Sequence, residues 1–400
     1  MKKKMLITCT VVLVTAAVIL GFVLKNQVRE NPDKNTVNVA IGQWDTTQNE
    51  SQNYWNPDNH AVAKGMGGYY FIQTTDGISK IAFFDETTQE AVAVCAKPEC
   101  THSDNTCNAY LCDMKQTGSA LYLTDTIYCY NGYLYLIQCE GGMGKLVRIH
   151  TDGSARETIA DLFANTGVSS ISLVFHENDV YAYDDTGHAG QEEEAEEVIK
   201  KISLTDGTEQ TVFSYTGTGA SIDRGRSFGD KLYFVIREYT KNKETKAVSS
   251  DYKGLFEYDF ATGDTRKVID ADVCDYHADT ENQMLFYFVQ GTGLYAYDIT
   301  QGSNTLIYPA EDELIQCKMS YDGKNLYLFN NGAGRATETK ARTQRYCYVL
   351  DTKGNQIAKI LCNGVVYFGD TDYLFEENAD NLEYMKKENL SDKSEWIQVN

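Results

Sequence analysis

The stretches GLFEYDFATG (residues 254–263) and GLYAYDITQG (residues 293–302) decide the fold that the sequence predicts. In each, apolar and polar residues alternate over a few positions, which is the period of a β-strand with one buried face. An aspartate ends the strand, and a glycine at the end of the stretch supplies the positive φ that a tight turn needs. The two stretches therefore represent the same strand and turn in two copies of a repeat.

The same pattern recurs along most of the chain. A tyrosine-rich strand comes first in each unit, at GGYYFI (67), GYLYLI (132), NDVYAY (178), DKLYFV (230), MLFYFV (284), NLYLFN (325) and DYLFEE (372). A second strand follows and ends in a polar turn, and a third strand comes after it. The seventh unit lacks the aspartate, whereas the other six carry Asp85, Asp152, Asp206, Asp259, Asp298 and Asp351.

Seven small units of antiparallel strands, spaced by roughly 40–60 residues, predict an all-β fold of the β-propeller type. Seven blades is the count that the repeats favour, with six or eight as alternatives because the ends are the least regular. The 28 tyrosines are spread evenly, which suits packing between blades better than one aromatic cleft. An irregular pair of β-sandwiches is the competing architecture. EEEAEEVIKK (192–201) is expected to be an acidic loop insertion.

One repeat also resembles a known family. MSYDGKNLYLF (319–329) resembles the repeat of TolB-type propellers, in which Ser-Pro-Asp-Gly-Lys precedes a short apolar strand, although Tyr321 replaces the proline. The wider pattern of tyrosine strands and a cysteine-rich insert resembles the DUF5050-like surface propellers of Gram-positive anaerobes, over about residues 61–400. This resemblance implies a propeller fold and a location at the cell surface, and it implies no biochemical activity.

The N-terminus predicts a membrane segment. Three lysines precede residues 5–24, an uncharged apolar run whose length suits a transmembrane helix. The positive-inside rule then places residues 1–25 as an anchor with everything after it outside the cell, so that the protein spans the membrane once. If the segment is instead a cleaved signal peptide, the protein is secreted. Residues 26–60 are expected to be a linker, and residues 61–400 the propeller.

The charge of the chain excludes some partners. Four of the 36 basic residues and none of the 57 acidic residues lie in the first 25 positions, so residues 26–400 carry a net charge of −25. Such a surface repels nucleic acid and anionic lipid headgroups. The remaining candidates are an extracellular protein or a glycan, and the membrane is contacted through the N-terminal helix.

The stretch CAKPECTHSDNTCNAYLC (95–112) brings several potential metal-binding or redox-active residues together, within a loop insertion predicted over 95–118. Its four cysteines and one histidine offer five candidate ligands for a metal ion, with zinc as the cofactor to consider. Disulfides are the favoured alternative, because an even number of cysteines follows the anchor and the predicted location is extracellular. Reactive thiols are a third reading. The candidate metal ligands are Cys95, Cys100, His102, Cys107 and Cys112.

The other six exported cysteines form plausible disulfide pairs if the predicted strands are right. Cys129 and Cys139 flank one hairpin, and Cys347 and Cys362 flank another. Cys274 and Cys317 occupy equivalent strands of adjacent units. We expect disulfides at these six positions, each typically contributing a few kcal/mol of stability.

No catalytic motif stands out in the sequence. It contains no Gly-x-Ser-x-Gly, His-Glu-x-x-His, P-loop or Gly-x-Gly-x-x-Gly pattern, and the remaining histidines (60, 150, 176, 188 and 277) are scattered. We therefore expect a non-catalytic binding or scaffold module. The alternatives are a glycan-processing hydrolase or lyase with carboxylates and tyrosines in an axial pocket, and a metal- or redox-sensing surface module.

Overall fold

The structure, a computed structural model, describes a defined set of residues. These are 37–44, 51–116, 121–164, 171–184, 194–241, 248–311, 314, 317–330, 345–378 and 381–400. The segment 5–24, for which the sequence predicts a transmembrane helix, lies outside them. Among the residues in these ranges, the structure contains no helix with both the length and the apolar character to span a bilayer.

The described strands form seven antiparallel sheets, each built from consecutive strands. We number the sheets blade 1 to blade 7 in chain order and call the first strand of each the inner strand. In blade 1 a fifth strand also pairs with the third strand, next to the fourth. The strands are β1 Val62–Gly65, β2 Gly68–Thr75, β3 Ile78–Asp85, β4 Ala91–Ala93 and β5 Tyr110–Asp113 in blade 1; β6 Leu121–Tyr130, β7 Tyr133–Glu140, β8 Met143–His150 and β9 Glu157–Ala164 in blade 2; β10 Ile171–His176, β11 Asp179–Asp184, β12 Glu194–Ser203 and β13 Glu209–Thr218 in blade 3.

Blades 4 to 7 repeat the same four-stranded meander. Their strands are β14 Ser221–Phe228, β15 Lys231–Lys241, β16 Val248–Asp259 and β17 Thr265–Ile269 in blade 4; β18 Val273–Asp279, β19 Met284–Val289, β20 Gly293–Asp298 and β21 Ser303–Pro309 in blade 5; β22 Lys318–Tyr321, β23 Asn325–Phe329, β24 Arg345–Asp351 and β25 Gln356–Cys362 in blade 6; β26 Val365–Phe368, β27 Tyr373–Asn378, β28 Asn381–Lys386 and β29 Ile397–Gln398 in blade 7. The seven-bladed all-β propeller expected from the repeats is confirmed.

Each blade buries its apolar face against its neighbours, and the last blade closes the ring against the first. Phe375 of blade 7 packs against Tyr69 and Phe84 of blade 1 in one aromatic cluster. The Tyr69 ring centre lies 4.9 Å from that of Phe375. Ala91 N–H also donates a 2.6 Å hydrogen bond to the C-terminal Asn400 carbonyl. The ring is therefore sealed by aromatic packing and by a backbone contact near the C-terminus.

The aspartates that mark the repeat cap the turn between the third and fourth strands of blades 1 to 6. Each carboxylate accepts backbone N–H groups two to four residues ahead, which is the Asx-turn that favours aspartate at such a position. The N–H donors are Thr87 and Thr88 to Asp85, Ser154 to Asp152, Thr208 to Asp206, Ala261 and Thr262 to Asp259, Gln301 to Asp298, and Lys353 and Asn355 to Asp351.

Two sequence expectations differ from the structure. Most of the acidic run 192–201, expected to be a loop insertion, lies in β12, where Glu197, Ile199 and Ile202 are buried. Glu194 and Glu196 are exposed on the solvent face of the strand, whereas Glu197 is buried. Within the predicted linker, residues 39–44 and 51–60 belong to the same compact unit as the blades. Val39 pairs with Ile269 of β17.

Candidate functional site

Residues 51–60 cross the inner strands of the propeller, and we call this segment the axial plug. It begins with a 3-10 turn at Ser51–Tyr54. Trp55 packs on Tyr69 of blade 1, with ring centres 5.9 Å apart. Polar contacts join the plug to the other six blades: Ile127 N–H to His60 O (2.8 Å), Gln52 Nε2 to Phe175 O (2.7 Å), Asn53 Nδ2 to Ser227 O, His277 Nε2 with Asn53 O (2.9 Å), Ser320 Oγ to Tyr54 O (2.8 Å) and Asn56 N–H to Tyr367 O (3.0 Å).

A buried ionic network lies where the plug meets blades 4 and 5. Asp58 of the plug forms an ion pair with Arg224 of β14 and accepts the Arg224 backbone N–H at 2.8 Å. Arg226 donates to Asp275 of β18 at 2.7 Å and to the Met319 carbonyl of β22 at 2.8 Å. Asp275 and Arg226 are 0% and 1% exposed. Buried charges are tolerated only when paired, so this network neutralises the axial end instead of presenting free charges to a substrate.

A small aromatic pocket lies between the plug and blades 1 to 3. Its volume is ≈ 180 Å³, and its walls include Trp55, His60, Tyr128, Tyr130 and Phe175. The imidazole of His60 stacks on Tyr128, with ring centres 3.8 Å apart. Burial lowers the pKa of His60 to about 4, so the ring is neutral at pH 7. The pocket therefore offers aromatic faces to a small group.

The cysteine-rich stretch interrupts the outermost strand of blade 1. Val94 N–H donates to Ile81 O at 3.0 Å, and Ile81 N–H donates to Ala109 O at 2.9 Å, so both ends of the excursion pair with one residue of β3. The strand then resumes as β5, which pairs with the beginning of β3. The insertion expected over 95–118 is thus a shorter loop at the blade edge, closed at its base.

Four of the five proposed metal ligands converge in this loop. Ligand atoms of Cys95, Cys100, His102 and Cys107 all lie within 4.8 Å of one another. His102 Nδ1 lies 3.3 Å from Cys107 Sγ, and the Ala109 N–H donates to the same sulfur at 3.3 Å. Cys112 is outside the group, because it sits in β5 opposite Ser79. The geometry matches a site for one metal ion with three sulfur ligands and one nitrogen ligand.

The thiols of this group differ in acidity. Slight desolvation opposes ionisation of Cys95, but hydrogen bonds from the backbone of Lys97 and Asn108 and from neighbouring thiols bring its pKa down to about 6. Burial raises the pKa of Cys107 to about 11. The thiolate form of Cys95 is thus favoured near neutral pH even without a metal ion.

The expected disulfides are not present: the ten cysteines that the structure describes are all free thiols. Cys129 lies opposite Leu134, whereas Cys139 lies opposite Leu121 at the far end of the hairpin. Five residues of strand, about 17 Å, separate Cys139 from Leu134, which no disulfide can bridge.

The remaining two pairs lie closer together. Cys347 faces Ile360, two positions from Cys362. This diagonal relation places the Cα atoms about 7–8 Å apart, beyond the usual disulfide range. Cys274 and Cys317 are in direct contact, from Cys274 Sγ to the Cys317 carbonyl at 3.7 Å.

A second group of possible metal ligands lies at the closure of the ring. Oxygen atoms of Glu86, Asp370 and Asp372 lie within 4.8 Å of one another. The Lys64 ammonium already pairs with Glu86 and lies 3.1 Å from Asp370. A protein cation therefore occupies the place that a metal ion would take.

Sequence reasoning missed the axial residues. Asp58, Arg224, Arg226 and Asp275 are not among the site residues predicted from the sequence, and all four are buried. One signal was available in SIDRGRSF (221–228), which places charged residues on both faces of the strand. A half-exposed strand carries its charged residues on the solvent face, so this pattern is not that of an ordinary half-exposed strand. All eight residues of this strand are buried. Of the scattered histidines, His60 lies in the plug, His277 contacts the plug through Asn53, and His188 lies outside the described residues.

Comparison with known proteins supports the fold. No protein-family model matches the sequence, and no curated protein matches it. An oligogalacturonate lyase from Vibrio parahaemolyticus is 11% identical with a TM-score of 0.50, covering 88% of this chain and 94% of that one. An oligogalacturonate lyase in complex with manganese is also 11% identical with a TM-score of 0.50, covering 91% and 96%. TolB from Acinetobacter baumannii is 13% identical with a TM-score of 0.40, covering 83% and 79%. At such identities the similarity to the two lyases shows the β-propeller fold and no shared activity.

Proposed function

We propose that this chain is a membrane-tethered, extracellular β-propeller that binds a protein or a glycan without catalysing a reaction. In this proposal the apolar segment 5–24 anchors the chain, and the propeller lies outside the cell. A metal ion, where one is bound, stabilises the cysteine-rich loop at the edge of blade 1 and takes no part in chemistry at the axis. The ligand meets the exposed faces of the blades and the aromatic pocket beside the plug.

The axial plug is the observation that carries this proposal. It covers one end of the inner strands and contacts all seven blades. For example, Ser320 of blade 6 donates to the plug at Tyr54, and Asn53 of the plug donates to Ser227 of blade 4. The charged groups there, Asp58 with Arg224 and Asp275 with Arg226, are paired with each other. A hydrolase or lyase needs carboxylates or tyrosines that reach the substrate, and the plug separates these groups from it.

The aromatic pocket supports a binding role. Aromatic faces bury apolar area and tolerate a polar edge, which suits a sugar ring or an aromatic side chain of a partner. Tyr130 is only partly buried and stacks on Phe175 with ring centres 4.9 Å apart. Tyr130 is therefore an aromatic wall of the pocket that a ligand can reach.

The test uses the full-length protein in detergent micelles, offered a panel of cell-wall and dietary polysaccharides and proteins exposed on the producing cells. We expect retention of at least one ligand with no release of shorter products. Tyr130→Ala should weaken this retention, and Tyr297→Ala, a partly buried tyrosine of blade 5, serves as the matched control. Release of reducing or unsaturated sugar ends would overturn the non-catalytic assignment and favour the glycan-processing alternative.

Location is tested on intact cells. Trypsin added outside should cleave within residues 37–400 if the propeller is extracellular. Protection of the whole range on intact cells, followed by cleavage after lysis, would contradict the proposed location.

A further inference from the structure

The loop 95–108 leaves the edge of blade 1 without a core of its own. Its sequence is CAKPECTHSDNTCN, in which Ala96, Pro98 and the cysteines are the only apolar residues. Both ends are pinned at Ile81 of β3 through Val94 and Ala109. Its contact with the core between blades 1 and 2 is made through Cys95, Cys100 and Cys107, so a covalent or metal staple at these residues would hold the loop in one conformation.

The side chains of this loop meet at one point. Cys95 lies at its start, Cys107 near its end, and Cys100 and His102 lie between, yet all four ligand atoms lie within 4.8 Å of one another. Tetrahedral zinc with its usual bond lengths separates ligand atoms by roughly 3.5–3.8 Å. The 3.3 Å between His102 Nδ1 and Cys107 Sγ is close to that edge.

The backbone of the loop is shaped to aim these side chains inward. Glu99 and His102 adopt positive φ angles of 58° and 55°. Left-handed backbone is unfavourable for residues other than glycine, at a cost on the order of 1 kcal/mol each. In addition, the Ala109 N–H points at Cys107 Sγ from 3.3 Å, as backbone N–H groups do around metal-bound thiolates.

A disulfide explanation accounts for less of this geometry. The group contains three cysteines, so one disulfide would leave a thiol beside an imidazole. Cys112, which would make the number even, faces Ser79 in β5 and is outside the group. Three sulfurs and one nitrogen instead form a complete ligand set for zinc.

We infer that Cys95, Cys100, His102 and Cys107 bind one structural zinc ion, which fixes the loop against the neighbouring blade. Three thiolates and one imidazole fill the tetrahedron, so no position remains open for catalysis. The fixed loop touches blade 2, where Arg156 of that blade donates to the Asn108 carbonyl. This site is independent of the binding role proposed for the propeller faces.

Metal analysis of the full-length protein tests the inference. Purified in detergent without chelators, the protein should carry one zinc ion per chain, and cobalt substitution should give the intense visible bands of a tetrahedral thiolate site. Cys100→Ser should lose the stoichiometric metal, whereas Cys112→Ser, the matched control in the same stretch, should retain it. Equal zinc content in the two variants would overturn the ligand assignment.

Intact mass and proteolysis separate the remaining outcomes. A metal-free native protein whose mass is lower by two hydrogens would establish a disulfide and contradict the zinc site, as would a metal-free, fully reduced loop. Cleavage after the exposed Glu99 by a glutamate-specific protease should accelerate roughly tenfold after zinc is chelated, because the loop loses its staple. Unchanged circular dichroism of Cys100→Ser would show that the blades still fold and that the loss of metal is local.

Discussion

At the scale of single residues, the buried charges at the axis connect distant parts of the chain. Asp275 of β18 accepts hydrogen bonds from the Arg226 guanidinium at 2.7 Å and from the Met319 N–H at 2.8 Å. It thereby joins the inner strands of blades 4, 5 and 6. Because these charges are buried, they are held in place by one another, and removal of one leaves its partner without compensation.

We predict that Asp275→Asn lowers the free energy of unfolding by about 3–5 kcal/mol, because it leaves Arg226 buried without its counter-ion. Chemical denaturation measures this change. Glu140→Gln is the control, since it removes an exposed ion pair with Lys145 and should cost less than about 1 kcal/mol. Equal losses in the two variants would contradict the importance of burial.

A second residue-scale prediction concerns pH. Burial is the main cause that lowers the pKa of His60 to about 4 and the pKa of His277 to about 3, the latter helped by the nearby Arg226 charge. In the unfolded chain a histidine titrates near pH 6.5, so between pH 6.5 and about 4 the unfolded state binds more protons. The free energy of unfolding should therefore fall as the pH drops through this window, on the order of 3 kcal/mol for each histidine.

Glu376 acts in the opposite direction. Burial raises its pKa to about 8, so the folded state holds a proton that the unfolded state releases between about pH 4.5 and 8. For this reason the histidine effect is measured as the difference between the wild-type protein and His60→Gln or His277→Gln. The stability of each variant should depend less steeply on acid below pH 6.5. Slopes identical to that of the wild type would show that these rings do not control the acid response.

At the scale of elements, the turn between the third and fourth strands of a blade packs onto the outer strand of the preceding blade. A Cβ placed on the turn glycine would meet a backbone carbonyl there: Val94 O from Gly153, Ile159 O from Gly207 and Ile307 O from Gly354. The glycines thus serve two needs, because they adopt positive φ and permit close approach of two blades. The same turn residue sets both the hairpin and the spacing of blades.

Two glycines of blade 6 allow the effect of positive φ to be measured separately from the effect of close approach between blades. Gly323 has φ +90° with nothing within 4 Å of its added Cβ, whereas Gly354 has φ +86° and its Cβ would collide with Ile307 O. We predict that Gly323→Ala costs about 1–2 kcal/mol from backbone strain alone. Gly354→Ala should cost clearly more, because the adjacent blade must also move. Thermal and chemical unfolding of the pair check this, and equal costs would mean that the inter-blade contact is soft.

At the scale of the whole molecule, the ring is joined in two ways. Blade 7 meets blade 1 through aromatic packing around Phe375 and the Ala91–Asn400 backbone contact. The axial plug adds a second connection, since its ten residues reach every blade from one side. The plug therefore occupies the place where an axial substrate would sit and ties the inner strands together at the same time.

Much of this architecture could be predicted from the sequence. The alternation in GLYAYDITQG and the aspartate at 298 are local signals, because strand period and Asx-turn capping depend on residues a few positions apart. Repetition of these signals was enough to predict the seven blades. The convergence of Cys95, Cys100, His102 and Cys107 was one of several readings, since spacing alone cannot show where side chains point.

What only the tertiary structure decided involves contacts between distant residues. The inner strand SIDRGRSF carries no local apolar pattern, and it is buried because the plug and blade 5 bring Asp58 and Asp275 to its arginines. Likewise, the register of the β6–β7 hairpin carries Cys139 away from Cys129. A polar residue can be buried wherever the fold supplies its partner, and the partner's position depends on how the ring closes. For that reason the repeating strands are determined by local sequence, whereas the axial plug and the cysteine group are determined by the closed ring.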